Sequence, residues 1–192
     1  MFKPLLSVCI AALSLAGCSS ISPAGLLAAA QLDPIQTPPD NISIAISVPE
    51  VVRLRDGDAE LYLGFMTDDK NMSAPVEATV PLAILNEAGP RPAETGEAIY
   101  VFGFSTSSAA ELSAIQEKIK AQKANDVAGT GTLKVAIEGG CITGALNGKL
   151  PVATWLRTSP TGKFVSLTRK SDFLDALPRT ERDQLLANLK PC

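Results

Sequence analysis

The sequence contains no histidine. This absence excludes the His-assisted serine and cysteine nucleophiles of many hydrolases, and it removes the usual ligand of zinc sites. It also removes the side chain best suited to proton transfer near neutral pH. We therefore predict no catalytic residue, no metal site and no cofactor. Aromatic residues make up only 5% of the chain, with one tryptophan, so Val, Ile, Leu and Ala must build most of the core.

Basic charge is in slight deficit. The chain has 17 Lys and Arg against 20 Asp and Glu, which gives a formal net charge of −3. Nucleic-acid-binding proteins usually carry an excess of positive charge on one face. We therefore expect no nucleic-acid partner.

Long apolar runs are absent except at the N-terminus. There, Lys3 precedes an apolar run that extends from Leu5 to Leu15 and contains no acidic residue. A transmembrane helix needs about 20 apolar residues, so this run is too short to span a bilayer. A short positive region followed by a short apolar region is typical of a secretory signal peptide.

The end of this run is more specific. The motif Leu15-Ala16-Gly17-Cys18 resembles the lipobox of bacterial lipoproteins. The resemblance implies that residues 1–17 are a signal peptide, and that Cys18 becomes the acylated first residue of the mature chain. Stable anchoring needs two or more acyl chains. The resemblance implies two or three such chains on Cys18, palmitate among them. The alternative is an ordinary signal peptide with an incidental cysteine.

The residue after Cys18 predicts which of the two envelope membranes holds the protein. Ser19 stands where Asp would favour retention in the inner membrane of enteric bacteria. By that analogy, the protein is expected at the outer membrane of a bacterial cell envelope, facing the periplasm.

Four cysteines are present. Cys9 would leave with the signal peptide and Cys18 would carry lipid, so Cys141 and Cys192 remain. Two thiols in an oxidising compartment predict one disulfide bond. The alternative is that Cys192, the last residue, pairs with a partner chain.

The composition divides the mature chain into a tether and one domain. Residues 18–41 are rich in Ser, Pro and Ala, which favours a flexible tether after the lipidated N-terminus. Residues 42–192 are expected to form a single globular domain. The alternative for the tether is that its apolar part packs against the domain.

The hydrophobic pattern predicts an α+β fold with a mainly antiparallel sheet. Alternation predicts strands at 42–48, 76–85, 98–104 and 132–138, and hairpins over 51–66 and 150–169. Pro81 favours an edge position or a bulge for its strand. The segment from 98 to 138 fits either a parallel crossover or an α+β arrangement.

One main helix is predicted at about 108–124. Ser108 and Glu111 have the spacing of a capping box. An apolar stripe predicts the buried face, and four polar residues are expected to face water. The stripe is Leu112, Ile115 and Ile119, and the polar residues are Gln116, Lys118, Lys120 and Lys123. Two short C-terminal helices are expected after caps at Ser171 and Thr180.

The distribution of charge predicts a partner-binding surface. No acidic residue occurs from 139 to 171, whereas 56–97 holds nine acidic residues and two basic ones. We predict that this acid-free stretch contacts an anionic envelope component or an acidic protein. Its candidate binding residues are Trp155, Arg157, Lys163, Arg169 and Lys170. The alternative is a solvated hairpin with scattered charges.

The leading hypothesis is a non-catalytic lipoprotein that binds or supports another envelope component, besides its lipid contact with the membrane. A second hypothesis is an envelope hydrolase that uses two carboxylates, which needs no histidine. Its candidate residues are Asp56, Asp58, Glu60, Asp68, Asp69 and Glu138. A third hypothesis is a tethered inhibitor or immunity-type protein.

Overall fold

The computed structural model describes residues 33–68 and 74–192. The predicted signal peptide, Cys18 and the first part of the predicted tether lie outside the described residues. Asp69 lies outside them as well.

The described residues form eleven strands and three α-helices. The strands are β1 (Ser43–Pro49), β2 (Val52–Arg53), β3 (Ala59–Thr67), β4 (Val76–Pro81), β5 (Ala83–Leu85), β6 (Glu97–Gly103), β7 (Gly129–Ile137), β8 (Cys141–Ile142), β9 (Pro151–Arg157), β10 (Val165–Asp172) and β11 (Lys190–Pro191). The helices are α1 (Thr106–Ala124), α2 (Phe173–Ala176) and α3 (Arg179–Asn188), and a short 3-10 helix spans Pro39–Asn41. The predicted α+β class is confirmed.

The strands form three sheets. The largest has five strands in the order β10-β9-β1-β6-β5, and every neighbouring pair in it is antiparallel. A second sheet, β4-β3-β7, is also antiparallel. The third sheet, β11-β8-β2, contains one parallel pair, between β11 and β8. The mainly antiparallel arrangement follows the prediction.

Strand β1 is buried on both faces. Ile44, Ile46 and Val48 belong to the hydrophobic core. Side chains alternate between the faces of a strand, so Ser43 and Ser47 lie on the opposite face. These two serines are also buried, at 4% and 0% exposed. The outer face of the five-stranded sheet is therefore covered at β1.

The core lies between the five-stranded sheet, the β4-β3-β7 sheet and α1. Its largest fully buried side chains come from all three elements. They include Ile44, Ile46 and Phe102 from the first sheet, Leu61, Leu63 and Phe65 from β3, and Leu112 and Ile119 from α1. The predicted apolar stripe of the helix is thus confirmed, and Ile115 is buried with it.

The predicted N-terminal cap of the main helix is wrong. The helix begins at Thr106, and Ser105 is the N-cap, with its side chain accepting from the Ser108 amide at 3.2 Å. Ser108 lies in the first turn and is buried. An N-cap residue has extended backbone geometry and precedes the helix, as Ser105 does with φ −65° and ψ 163°.

Gln116 does not face water as predicted. It is 3% exposed, and its side-chain amide donates to the backbone oxygens of Pro34 and Thr37, at 2.7 and 2.8 Å. Ile35 is also buried, at 7% exposed. Residues 33–41 therefore pack against the domain, which is the alternative interpretation of this part of the predicted tether. A polar side chain can lie on a buried helix face when backbone groups satisfy it.

The predicted hairpin over 51–66 is wrong. The chain does turn at Gly57, where φ is 83°, but β2 pairs with β8, and β3 pairs with β4 and β7. The Asp56 carboxylate accepts the Ile84 amide at 2.7 Å, so the turn is tied to a distant segment. Turn residues determine a local change of direction and do not choose the strands that pair.

The predicted strand at 76–85 is two strands in different sheets, β4 and β5, separated by the buried residue Leu82. β4 lies at the edge of its sheet, as Pro81 indicated. β6 and β7, on either side of the main helix, also lie in different sheets. The parallel crossover is therefore absent here, and the α+β alternative is correct.

The C-terminal region contains the two predicted helices, but their first residues differ from the prediction. Asp172 precedes α2 and accepts the Leu174 amide at 3.1 Å, so Ser171 is not the cap. α3 begins directly after Pro178, which places Thr180 inside its first turn.

The predicted disulfide is present. Cys141 and Cys192 are bonded, with their Cα atoms 5.0 Å apart. The Cys192 amide also donates to the Ile142 oxygen at 3.0 Å. Together these contacts fix the C-terminus to the segment that follows β7.

Candidate binding site at the basic hairpin

Strands β9 and β10 pair as predicted and form, with their connection, the segment that we call the basic hairpin, residues 151–172. Trp155 and Arg157 lie on β9, and Arg169 and Lys170 lie on β10. Lys163 lies in the connection and is exposed, as is Arg169. The five predicted binding residues thus belong to one hairpin, but their environments differ.

A loop of the acidic region folds onto this hairpin. Residues 86–96, which we call the covering loop, lie between β5 and β6. Glu87 of this loop pairs with Arg157. At the other end of the hairpin, Lys170 lies 3.4 Å from a Glu94 oxygen and 3.1 Å from a Glu97 oxygen. The acidic and basic segments are separated in sequence, but here they neutralise each other in space.

Arg157 is the most enclosed base of the hairpin, with a side chain that is 15% exposed. Its Nη2 donates to the Ser43 hydroxyl at 2.8 Å and to one Glu87 oxygen. The guanidinium carbon lies 4.8 Å from the centre of the Phe164 ring, within the range of a cation–π contact. Its Nε is buried without a hydrogen-bond partner among the described residues. Arg157 therefore has a fixed position and unused donor capacity.

A pocket of about 310 Å³ opens beside Arg157. Three segments form it: the 3-10 helix with the start of β1, the end of β5 with the covering loop, and the connection of the basic hairpin. Its lining residues are Asp40, Asn41, Ser43, Leu85, Glu87, Ala88, Arg157 and Pro160. The pocket therefore presents one guanidinium together with carboxylate, amide and hydroxyl groups.

Glu97 is the centre of a second polar cluster under the covering loop. Its side chain is only 2% exposed. Arg91 donates to both carboxylate oxygens, at 2.7 and 2.9 Å. The Glu94 amide and the Lys170 ammonium also donate, at 3.0 and 3.1 Å, and so does the Ser47 hydroxyl. These donors, Arg91 first, hold the pKa of the Glu97 carboxyl well below its usual range.

The same loop covers Trp155. The guanidinium carbon of Arg91 lies 5.7 Å from the centre of the tryptophan ring. Gly89 passes so close to the sheet that a Cβ atom there would lie 2.9 Å from a methyl group of Ile99. The lone tryptophan is consequently half-buried beneath the loop.

Only Lys163 and Arg169 among the five predicted residues take part in neither cluster, and no described residue forms an ion pair with them. Sequence reasoning missed Glu87, Arg91 and Glu97. The complementary charges of 56–97 and 139–171 were the available signal, since opposite charges in one small domain can pair internally as well as with a partner.

A second pocket, of about 280 Å³, lies between the end of β7 and the C-terminal helices. Glu138 and Glu181 line it, together with the apolar side chains of Phe173, Leu177 and Leu185. Glu138 is one of the carboxylates that the sequence indicated.

Within residues 33–68 and 74–192, no helix is both long enough and apolar enough to cross a membrane. The same residues contain no cluster of three or more metal-ligating side chains. Comparison of the chain with protein-family models, curated proteins and solved structures gives no match.

Proposed function

We propose that this chain is a lipoprotein of the bacterial cell envelope, anchored through Cys18, with a periplasm-facing domain that binds or supports another envelope component. The observation that carries the proposal is the Cys141–Cys192 disulfide. Disulfides form and persist in oxidising compartments such as the periplasm. An exported domain is also what the signal-like N-terminus and the motif Leu15-Ala16-Gly17-Cys18 lead us to expect.

The hydrogen bonds of the Glu97 carboxylate favour binding over catalysis at this residue. Perturbed carboxylates often mark catalytic sites, and Glu97 is the most perturbed carboxylate among the described residues. Its two oxygens are, however, fully occupied by donors from Arg91, Lys170, Ser47 and the Glu94 backbone. A carboxylate held ionised in this way stabilises the fold and is unsuited to exchanging protons with a substrate.

The proposed partner is an anionic envelope component or an acidic protein that contacts the exposed part of the basic hairpin. Lys163 and Arg169 supply charge that is accessible to a partner. We assign a smaller direct role to Arg157 and Lys170, because Arg157 already faces Glu87, and Lys170 already faces Glu94 and Glu97.

Cell fractionation tests the anchor. Cys18→Ser should abolish acylation and release the protein from membranes, whereas Cys9→Ser, within the predicted signal peptide, is the matched control and should leave both unchanged. Metabolic labelling with palmitate provides the direct readout. Retention of the Cys18→Ser protein on membranes after a high-salt wash would contradict the lipid anchor.

An affinity pull-down from cross-linked membranes tests the binding role. Lys163→Glu with Arg169→Glu should reduce partner recovery, and the reduction should be larger at low ionic strength because salt screens exposed charges. Lys118→Glu, on the exposed side of α1, is the control. Equal recovery of the partner by wild type, the double variant and Lys118→Glu would contradict a role for the hairpin in binding.

A carboxylate hydrolase is a second candidate, because Glu138 and Glu181 line one pocket. Two carboxylates that flank a glycosidic bond can supply an acid and a base or nucleophile. Release of reducing ends from envelope glycans by the purified protein, lost in Glu138→Gln and Glu181→Gln, would favour this candidate over the binding module.

A further inference from the structure

We propose that the pocket beside Arg157 binds a small zwitterion of the amino-acid or dipeptide class, whose carboxylate replaces that of Glu87 on the guanidinium. This inference rests on the proposed function of the domain as a binding module, and it names a ligand class for one site on that module.

The guanidinium is prepared for a carboxylate. Arg157 is mostly buried, lies against Phe164 and is oriented by the Ser43 hydroxyl. A guanidinium offers five N–H donors in a fixed fork and pairs best with a carboxylate through two of them. Glu87 uses only Nη2, and Nε has no partner. Arg157 is therefore positioned by the protein but incompletely paired.

The pair of Arg91 and Glu97 differs from the pair of Arg157 and Glu87 in the number of its hydrogen bonds and in the exposure of its carboxylate. Arg91 binds both oxygens of Glu97, and that carboxylate is 2% exposed. Glu87 is attached through one guanidinium nitrogen and is 42% exposed. An exposed carboxylate can return to water at little loss, because water solvates it again. Glu87 is thus the exchangeable carboxylate, and it marks the position that a ligand carboxylate would occupy.

The other charges of the pocket favour a zwitterion over a simple anion. Asp40 and Glu87 both line the cavity with Arg157, and the remaining lining residues carry no charge. A simple anion that displaced Glu87 would face two carboxylates and one guanidinium. A ligand with an ammonium group beside its carboxylate would instead give the displaced Glu87, or Asp40, an opposite charge to bind. Small ligand pockets begin at about 300 Å³, which suits a ligand of this size.

Titration calorimetry on the mature full-length protein in non-ionic detergent tests the proposal. The probes are glycylglycine, acetate, which carries only a carboxylate, and ethylamine, which carries only an ammonium group, each at the same ionic strength. We expect saturable binding of glycylglycine and at least about tenfold weaker binding of acetate and of ethylamine, because each of them lacks one of the two charge contacts. Absence of glycylglycine binding, or equal binding of acetate, would overturn the proposal.

Variants identify the site. Arg157→Gln should reduce glycylglycine affinity at least tenfold, whereas Lys118→Gln, on the exposed face of α1, should leave it unchanged. Glu87→Ala removes the built-in competitor and should strengthen acetate binding, a result that does not depend on whether Arg157→Gln folds. Unchanged acetate affinity in Glu87→Ala, or retained glycylglycine binding in folded Arg157→Gln, would overturn the proposal. The fractionation and pull-down experiments read the anchor and the partner independently of this measurement.

Discussion

The Arg91 guanidinium binds both oxygens of the Glu97 carboxylate, at 2.7 and 2.9 Å, beneath the covering loop. The pair joins the loop to the first residue of β6, and Lys170 extends the contact to β10. Breaking a buried ion pair by removing one partner is costly because the remaining charge loses its compensation. The attachment of the covering loop to β6 and β10 therefore depends on one buried carboxylate, that of Glu97.

Glu97→Gln should lower the free energy of unfolding by about 2 kcal/mol, less than for a fully buried pair, because water can solvate the freed cations in part. In a domain of this size that loss corresponds to a fall in Tm of about 4–8 °C. Thermal unfolding followed by circular dichroism measures the change. Glu94→Gln is the matched control, since the Glu94 side chain is 64% exposed, and it should change stability by less than about 0.5 kcal/mol.

The stabilisation from Glu97 should depend on pH. Its pKa is lowered in the folded protein relative to an ordinary value of 4.5. Above 4.5 both the folded and unfolded states carry the ionised group, and the contribution is complete. Below 4.5 the unfolded state binds a proton first, so stability falls with pH. The difference in unfolding free energy between wild type and Glu97→Gln should therefore shrink between pH 6 and pH 3. A constant difference over that range would contradict the assigned pKa direction.

Gln116→Ala should detach residues 33–41 from the helix. The substitution removes the donors to Pro34 and Thr37 and leaves two carbonyl groups without their partner. We expect a loss of about 2 kcal/mol in unfolding free energy, measured by urea denaturation. Hydrogen exchange should show faster exchange of the Thr37 amide. Lys118→Ala, on the exposed face of the same helix, is the control and should leave both measurements unchanged.

Reduction of the Cys141–Cys192 bond should destabilise the domain. The bonded residues are 51 positions apart, and in the chain-entropy model closing a loop of that length stabilises by about 4 kcal/mol. The corresponding fall in Tm is about 8–16 °C. Cys141→Ser, Cys192→Ser and the double variant should lose the same amount, because each removes the same bond. A larger loss in the double variant would show that the cysteines contribute separately.

The sequence by itself determined the features that depend on local pattern or on elimination. Hydrophobic periodicity predicted the α+β class, the helix stripe from Leu112 to Ile119 and the hairpin of β9 and β10. Pro81 predicted an edge position or a bulge, because proline cannot donate to a neighbouring strand, and β4 lies at an edge. The resemblance of residues 15–18 to a lipobox set aside Cys9 and Cys18 and so predicted a bond between Cys141 and Cys192, with pairing of Cys192 to a partner chain as the alternative; the bond is present.

Tertiary structure decided which distant strands and which distant polar side chains meet. The turn at Gly57 does not reveal that β2 pairs with β8, because pairing depends on which strands the whole chain brings together. The polarity of Gln116 predicted exposure, but its side chain is buried because its amide donates to two backbone carbonyls of a distant segment. The covering loop likewise pairs Glu87 with Arg157, 70 positions away. The sequence shows which charged side chains are available for ion pairs. Packing decides whether each of them pairs within the domain or remains exposed to another molecule.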